Sequence, residues 1–217
     1  MWSKPMKRIL ATLLFVATCV PAAHAAMEED VRKLQGDWAN IKYVAPKADQ
    51  EKSFEALTQA AAAVRERYPT RAEPMIWYGI IAASYAGAKG GLGALSIVKD
   101  AKKSLEDAIA VDRNALDGSA YTSLGSLYYQ VPGWPIGFGD DKKALEMLEM
   151  GLAVNPNGID PNYFMGDYLF RKGDYAGARA ALTKALAAPA RPGRAVADDG
   201  RRKEIEDLLA KVREKLG

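Results

Sequence analysis

Residues 121–128 read Tyr121-Thr122-Ser123-Leu124-Gly125-Ser126-Leu127-Tyr128, and this stretch decides the fold. Tyr121, Leu124 and Tyr128 fall at i, i+3 and i+7, with Gly125 at i+4, on one face of a 3.6-residue helix. A glycine costs helix propensity at such a place; its use is to let a second helix approach closely. Further on, Ala144, Leu148, Gly151 and Leu152 repeat the helical spacing, and Pro156 stops it. Ala178, Leu182, Ala185 and Leu186 then restate that second pattern, and from Ala144 to Ala178 is 34 positions.

A 34-residue period of paired helices is the tetratricopeptide period, in which each helical hairpin buries its apolar face only by stacking on its neighbours. In the second unit Gly166 takes the place of Gly125, and Gly173-Asp174-Tyr175 forms the inter-helix turn with Asp174 as N-cap. Gly151 is the one departure, standing where alanine is usual. An earlier, less regular unit begins at Trp77 and Ile80 and continues with Ala101, Leu105, Ala108 and Ile109. The glycine-rich insert 87–93 separates its halves. Two amphipathic stretches, 30–43 and 49–68, form a degenerate first pair, punctuated by Pro46, Pro69 and Pro74. At the other end Ile205, Leu208, Leu209, Val212 and Leu216 share a face, backed by Arg, Lys and Glu, as a solenoid's last helix requires. No run alternates with the period of a strand. The expected fold is all-α: a tetratricopeptide-like solenoid of about nine helices forming one domain over 26–217. Its clearest repeats are 117–156 and 159–190, and its capping helix is 198–216.

The first 25 residues read as an export signal. Lys4, Lys7 and Arg8 precede the uncharged stretch 9–20, and Ala23-His24-Ala25 supplies a small-x-small cleavage site. The apolar stretch is about a dozen residues, short of the roughly 20 needed to span a bilayer. Val16-Ala17-Thr18 is a poor lipoprotein context for Cys19, so no lipid anchor is expected there. The expected location is periplasmic, with no transmembrane span in the mature chain. The 217 residues carry 30 Lys and Arg against 27 Asp and Glu, and the signal accounts for that excess, leaving 27 of each. Cys19 and His24, the single Cys and single His, leave with it. Thiolate and imidazole nucleophiles and metal ligands are thereby excluded from the mature chain. No cofactor, no metal, no nucleic acid and no enzyme chemistry is expected.

Several segments carry candidate sites. The insert Gly87-Ala88-Lys89-Gly90-Gly91-Leu92-Gly93 lacks the Gly-Lys-Ser/Thr of a phosphate loop and has Ser96 where a third dinucleotide-motif glycine would stand. It reads as a flexible loop ahead of a helix over 94–111. Between Tyr128 and Ala144 are 16 positions where the repeat pattern has nine, so seven are inserted. Trp134, Ile136 and Phe138 lie in this insertion and either fold back on the repeats or line a binding groove. Asp140 is expected to cap the helix that follows. Tyr163, Phe164 and Tyr168 cannot all join one core stripe, so some should face the concave surface, where an apolar ligand or extended peptide would bind. Arg191, Arg194 and Arg201 either pair with Asp198 or Asp199 to pin the cap, or hold an anionic ligand. Asp140 and Asp141 are adjacent on a helix and make a poor acid–base couple.

The repeat residues 121–128, the loop Pro132-Gly133-Trp134-Pro135-Ile136-Gly137-Phe138-Gly139-Asp140 and Gly173-Asp174-Tyr175 together resemble bacterial envelope tetratricopeptide proteins grouped with the T-component of tripartite ATP-independent periplasmic (TRAP) transporters. The resemblance spans about 30–216. It implies a helical protein that contacts a periplasmic solute-binding partner and binds a hydrophobic small molecule, with no catalytic residues to carry over. Its best-known members are lipoproteins, and the sequence before Cys19 departs from that pattern. Partner- or ligand-binding candidates are Trp134, Ile136, Phe138, Tyr163, Phe164, Tyr168, Arg191 and Arg194. Intact-mass analysis of the exported protein should give a chain of 217 − 25 = 192 residues starting at Ala26, unmodified by lipid. A diacylglyceryl group on Cys19 would contradict this.

Overall fold

The computed structural model describes residues 19–217, with side chains from His24 onward. The export-signal reading therefore lies largely outside the described residues. The chain forms α1 (Cys19–Tyr43), α2 (Lys47–Arg67), α3 (Ala72–Lys89), α4 (Ala94–Val111), α5 (Ala115–Gln130), α6 (Asp141–Val154), α7 (Ile159–Arg171), α8 (Tyr175–Leu186) and α9 (Ala195–Leu216). Among the described residues there is no strand, and one isolated bridge joins Gly133 and Gly139. Helices pair as antiparallel neighbours along the chain, α3 with α4, α5 with α6 and α7 with α8, and α2 packs broadly on α3. The solenoid is thus all-α, as the periodicity predicts.

One contact recurs in each regular hairpin. A Cβ on Gly125 would lie 2.9 Å from Leu148 Cγ, one on Gly166 2.6 Å from Leu182 Cγ, and one on Gly79 2.7 Å from Leu105 Cγ. The three leucines are fully buried. The first helix of each pair therefore gives up a side chain so that the second can seat a leucine against its backbone. Glycine and leucine are 16 positions apart in the last pair, 23 in the middle one and 26 in the first. In the middle pair the added length lies in the α5–α6 connection (131–140), whereas in the first pair the connection is short and α3 and α4 themselves run further beyond the contact. Gly151 has a similar cause: a Cβ there would meet Thr122 Oγ1 at 2.6 Å.

Helix ends follow local chemistry. Asp140 accepts from the amides of Lys142 (3.0 Å) and Lys143 (3.1 Å), and Asp174 accepts from Gly177 (2.8 Å), so both expected N-caps form. Four boundaries differ from expectation. The helix expected from residue 30 runs from Cys19, because Met27, Val31 and Leu34 continue its buried face. α3 starts at Ala72 rather than Trp77, since Pro74 suits a helix's first turn. Gly87, Ala88 and Lys89 belong to α3, so the connection is only 90–93. α9 starts at Ala195, and its Leu216 is exposed rather than on the buried face.

The last helix does more than cap. Ile205, Leu208 and Val212 pack on α8, while Ala197, near the α9 N-terminus, joins the core built by α1, α2 and α3. α1 and α9 are in direct contact. A Cβ on Gly200 would sit 2.3 Å from the Tyr43 ring, which shows how closely the first helix approaches the last.

The glycine–leucine contact makes opposite predictions at two glycines. Gly166→Val should cost about 2 kcal/mol through overpacking. Gly36→Ala, at an exposed mid-helix position with open space around it, should gain up to about 1 kcal/mol. Urea unfolding of both variants checks the pair; equal effects would remove the close-approach explanation.

Candidate functional site

The contact between α1 and α9 turns the inner face of the solenoid into a cavity of about 520 Å³. Its wall is drawn from the start and end of the chain together with the first helices of the repeats. Trp38, Tyr43, Trp77, Leu116, Tyr163 and Phe164 supply its apolar lining. Ser119, Thr122, Ser123 and Ser126 add a polar strip from α5. Trp38 is fixed by its indole N–H, which donates to Ser84 Oγ at 2.8 Å, and by edge contacts with Trp77 (5.9 Å) and Tyr43 (5.7 Å). Leu116 reaches the wall through an abrupt turn: Leu116, Asp117 and Gly118 all have positive φ, at 48°, 55° and 73°. For leucine and aspartate this left-handed conformation costs of order 1–2 kcal/mol each.

An ion network occupies one end of the cavity. The turn Arg191-Pro192-Gly193-Arg194 closes with the Arg194 amide on the Arg191 carbonyl at 3.1 Å, and Gly193 supplies the φ of +71° required there. Arg191 donates from Nη1 to Asp160 Oδ2 (2.6 Å) and from Nε to Asp198 Oδ1 (2.7 Å). Arg201 donates from Nε to Asp160 Oδ1 (2.8 Å) and from Nη1 to Glu204 Oε2 (2.6 Å). Glu204 also accepts from the Tyr43 hydroxyl (3.2 Å) and pairs with Lys42 (3.6 Å). Arg201 lies over the rings of Tyr163 (4.2 Å) and Phe164 (4.9 Å). Burial alone would raise the Asp160 carboxyl, but Arg201 and Arg191 outweigh it and hold it down at about 2. Burial pushes the Tyr163 phenol up to about 12.

The candidate residues divide into four groups. Tyr163, Phe164, Arg191 and Arg194 border the cavity. Tyr168 does not: it is buried between α5 and α6, edge-on to Tyr129 at 5.7 Å, with its hydroxyl donating to the Asp141 carbonyl at 3.2 Å. It belongs to the core because its α7 position faces the preceding hairpin. Phe138 folds back, half-buried and edge-on to Tyr128 at 5.8 Å. Trp134 and Ile136 point outward, 90% and 59% exposed. Phe138 thus takes the fold-back use that the sequence left open, while Trp134 and Ile136 lie outside the cavity lining. Its backbone is tightly folded, with the Gly139 amide on the Pro132 carbonyl (3.0 Å) and the Asp140 amide on the Tyr128 carbonyl (2.8 Å). Pairing of Arg191 with Asp198 meets the expectation of a pinned cap, and Asp199 takes no part. The sequence reading missed Asp160, Trp38 and Glu204. Asp160 carried one signal, a carboxylate in the first turn of α7, which a helix N-terminus favours anyway.

Among the described residues no cluster of His, Cys, Asp or Glu could hold a metal ion, and no helix is long and apolar enough to cross a membrane. No protein-family model matches the chain, and no curated protein matches it significantly. Solved structures do. TTC0263, a thermophilic TPR protein of Thermus thermophilus, superposes with a TM-score of 0.60 at 19% identity, covering 88% of this chain and 83% of its own. Two structures of MamA score 0.44, at 20% and 19% identity, over 78% and 86% of this chain and 92% of theirs. The similarity to TTC0263 shows the fold, a tetratricopeptide-like helical solenoid.

Asp160 should be the keystone of the network. Its folded pKa lies below the unfolded one, so its contribution is complete above about pH 4 and is lost as pH falls through about 2. Asp160→Asn leaves the nearly buried Arg201 under-compensated and should cost about 3 kcal/mol at neutral pH. Urea midpoints of variant and wild type should converge on acidification. A gap that stays constant down to about pH 2.5 would contradict the assignment.

Proposed function

We propose that the protein is a non-enzymatic interaction scaffold of the cell envelope. On this reading the signal at residues 1–25 exports it, and it docks a protein partner through the edge carrying Trp134 and Ile136. The observation behind it is the contrast within one loop: Phe138 and the backbone are tied to the fold, whereas Trp134 is 90% exposed. An exposed tryptophan on a well-fixed loop is the kind of residue that dominates protein interfaces once a partner covers it. The resemblance to TRAP T-components makes a periplasmic solute-binding protein the first partner to test.

The cavity favours a second role, as carrier of a small apolar or amphipathic ligand. Its volume and mixed aromatic and polar lining fall in the range of small-molecule sites. The two roles use different surfaces, so one chain can serve both.

Two sets of variants separate docking from folding. Trp134→Ala with Ile136→Ala should abolish capture of the envelope partner and leave the melting curve near wild type. Phe138→Ala should lower stability by about 1–2 kcal/mol, because it removes a half-buried ring. Undiminished capture by the Trp134/Ile136 variant would overturn the docking reading.

A further inference from the structure

The three arginines at the cavity are not equivalent. Arg191 and Arg201 each bond two carboxylates and have their charge balanced within the protein. Lys42 pairs with Glu204. Of the four cations bordering the cavity, Arg194 alone enters no ion pair among the described residues. Its Nε is buried without a hydrogen-bond partner, and so is the indole Nε1 of Trp77. The two are neighbours: the Arg194 guanidinium carbon lies 5.1 Å from the Trp77 ring centroid. Burial and the adjacent Arg191 push the Arg194 guanidinium down, and the nearby Asp160 and Asp198, committed to Arg191 and Arg201, offset this only in part. Asp117 also borders the cavity, but it is exposed and forms no ion pair with Arg194.

Buried donors without acceptors are rare in native proteins; these two atoms are closed off by the protein, and what faces the cavity is the rest of the Arg194 side chain, which enters no ion pair among the described residues. Arg194 offers a planar fork of N–H donors suited to a carboxylate. Beside it, and facing the polar strip of α5, Trp38, Trp77, Leu116 and Phe164 give the wall an apolar part. We propose that the cavity binds a carboxylate borne on an apolar body, with the head group on Arg194 and the body against the two tryptophans. The turn at 191–194 explains why the arginine is there: Arg191 is anchored by Asp160 and Asp198, and Gly193 turns the chain so that Arg194 stands beside it over Trp77. A fatty-acid-like amphiphile and the C-terminal residues of a polypeptide share this chemistry. The inference rests on the carrier reading of the cavity and adds the charge it selects.

Calorimetry, with the fluorescence of Trp38 and Trp77 as a second readout, tests it on the full mature chain. Decanoate should bind at least about 10-fold more tightly than 1-decanol, and decyltrimethylammonium should bind no better than the alcohol. Arg194→Gln should bring decanoate down to the affinity of the alcohol, while Arg194→Lys should retain part of the preference. An apolar tetrapeptide and its C-terminal amide distinguish the source. A preference for the free acid that exceeds decanoate's assigns the site to a chain terminus, and a weaker one assigns it to a small acid. Equal affinity for decanoate and decanol in the wild-type protein would overturn the carboxylate inference and leave the carrier reading intact. Failure of every probe to bind would remove both. Because the decisive comparison uses wild-type protein, it holds even if the Arg194 variants are unstable.

Discussion

The ion network at Asp160 is the constraint on which the cavity depends. It joins α7, α9 and the turn between α8 and α9, and through Glu204 it reaches Tyr43 and Lys42 at the end of α1. Its energetic sense is specific. Arg201 and Asp198 are buried, and removing such charges from water costs several kcal/mol that their mutual attraction only offsets. The network therefore adds little net stability over a well-packed apolar contact. It does make any other arrangement expensive, since separating one partner strands the rest. A helical solenoid is held by nearest-neighbour contacts and has no intrinsic reason to bring its two ends together. Here a chain of charge-assisted bonds does so, and the concave face becomes a walled cavity.

The periodicity was legible because it is local. A glycine on the first helix and a leucine on the second lie within one hairpin, so their spacing survives as a pattern along the chain. Where the hairpin has no insertion, from Gly166 to Leu182, the pattern is plain. The same contact between Gly79 and Leu105 is hidden by the longer helices that separate them along the chain, and Trp77 and Ile80 draw attention instead. Asp140 and Asp174 were readable for the same reason, since an N-cap bonds amides two or three residues away.

The cavity was not legible, because its parts meet across the whole chain. Arg201 and Asp160 are 41 positions apart, and Tyr43 and Glu204 are 161 apart. No spacing rule connects them. The sequence could narrow the arginines to two uses, pairing with Asp198 or Asp199 to pin the cap or holding an anion, and the structure divides them: Arg191 pairs with Asp198, Arg201 pairs instead with Asp160 and Glu204, and Arg194 enters no ion pair among the described residues. The aromatics divide in a like way. Tyr163 and Phe164 are beneath Arg201 at the cavity, while Tyr168 faces the preceding hairpin and joins the core.

Helix α5 links the two surfaces proposed for binding. Leu127, Ser123 and Ser126 form part of the cavity wall, while Tyr128 supports Phe138 and its carbonyl accepts the Asp140 amide at the root of the loop bearing Trp134. Consecutive helical residues point about 100° apart, so one helix can serve an inner and an outer surface without either compromising the other. Shared support is not coupling. A ligand in the cavity affects docking at Trp134 only if α5 has two arrangements that the ligand and the partner weight differently. Gly125 lies against Leu148 with no room between them, and the hairpin core on that side is closed. A helix clamped in this way favours a single position, so occupancy of the cavity and docking at the loop should combine additively.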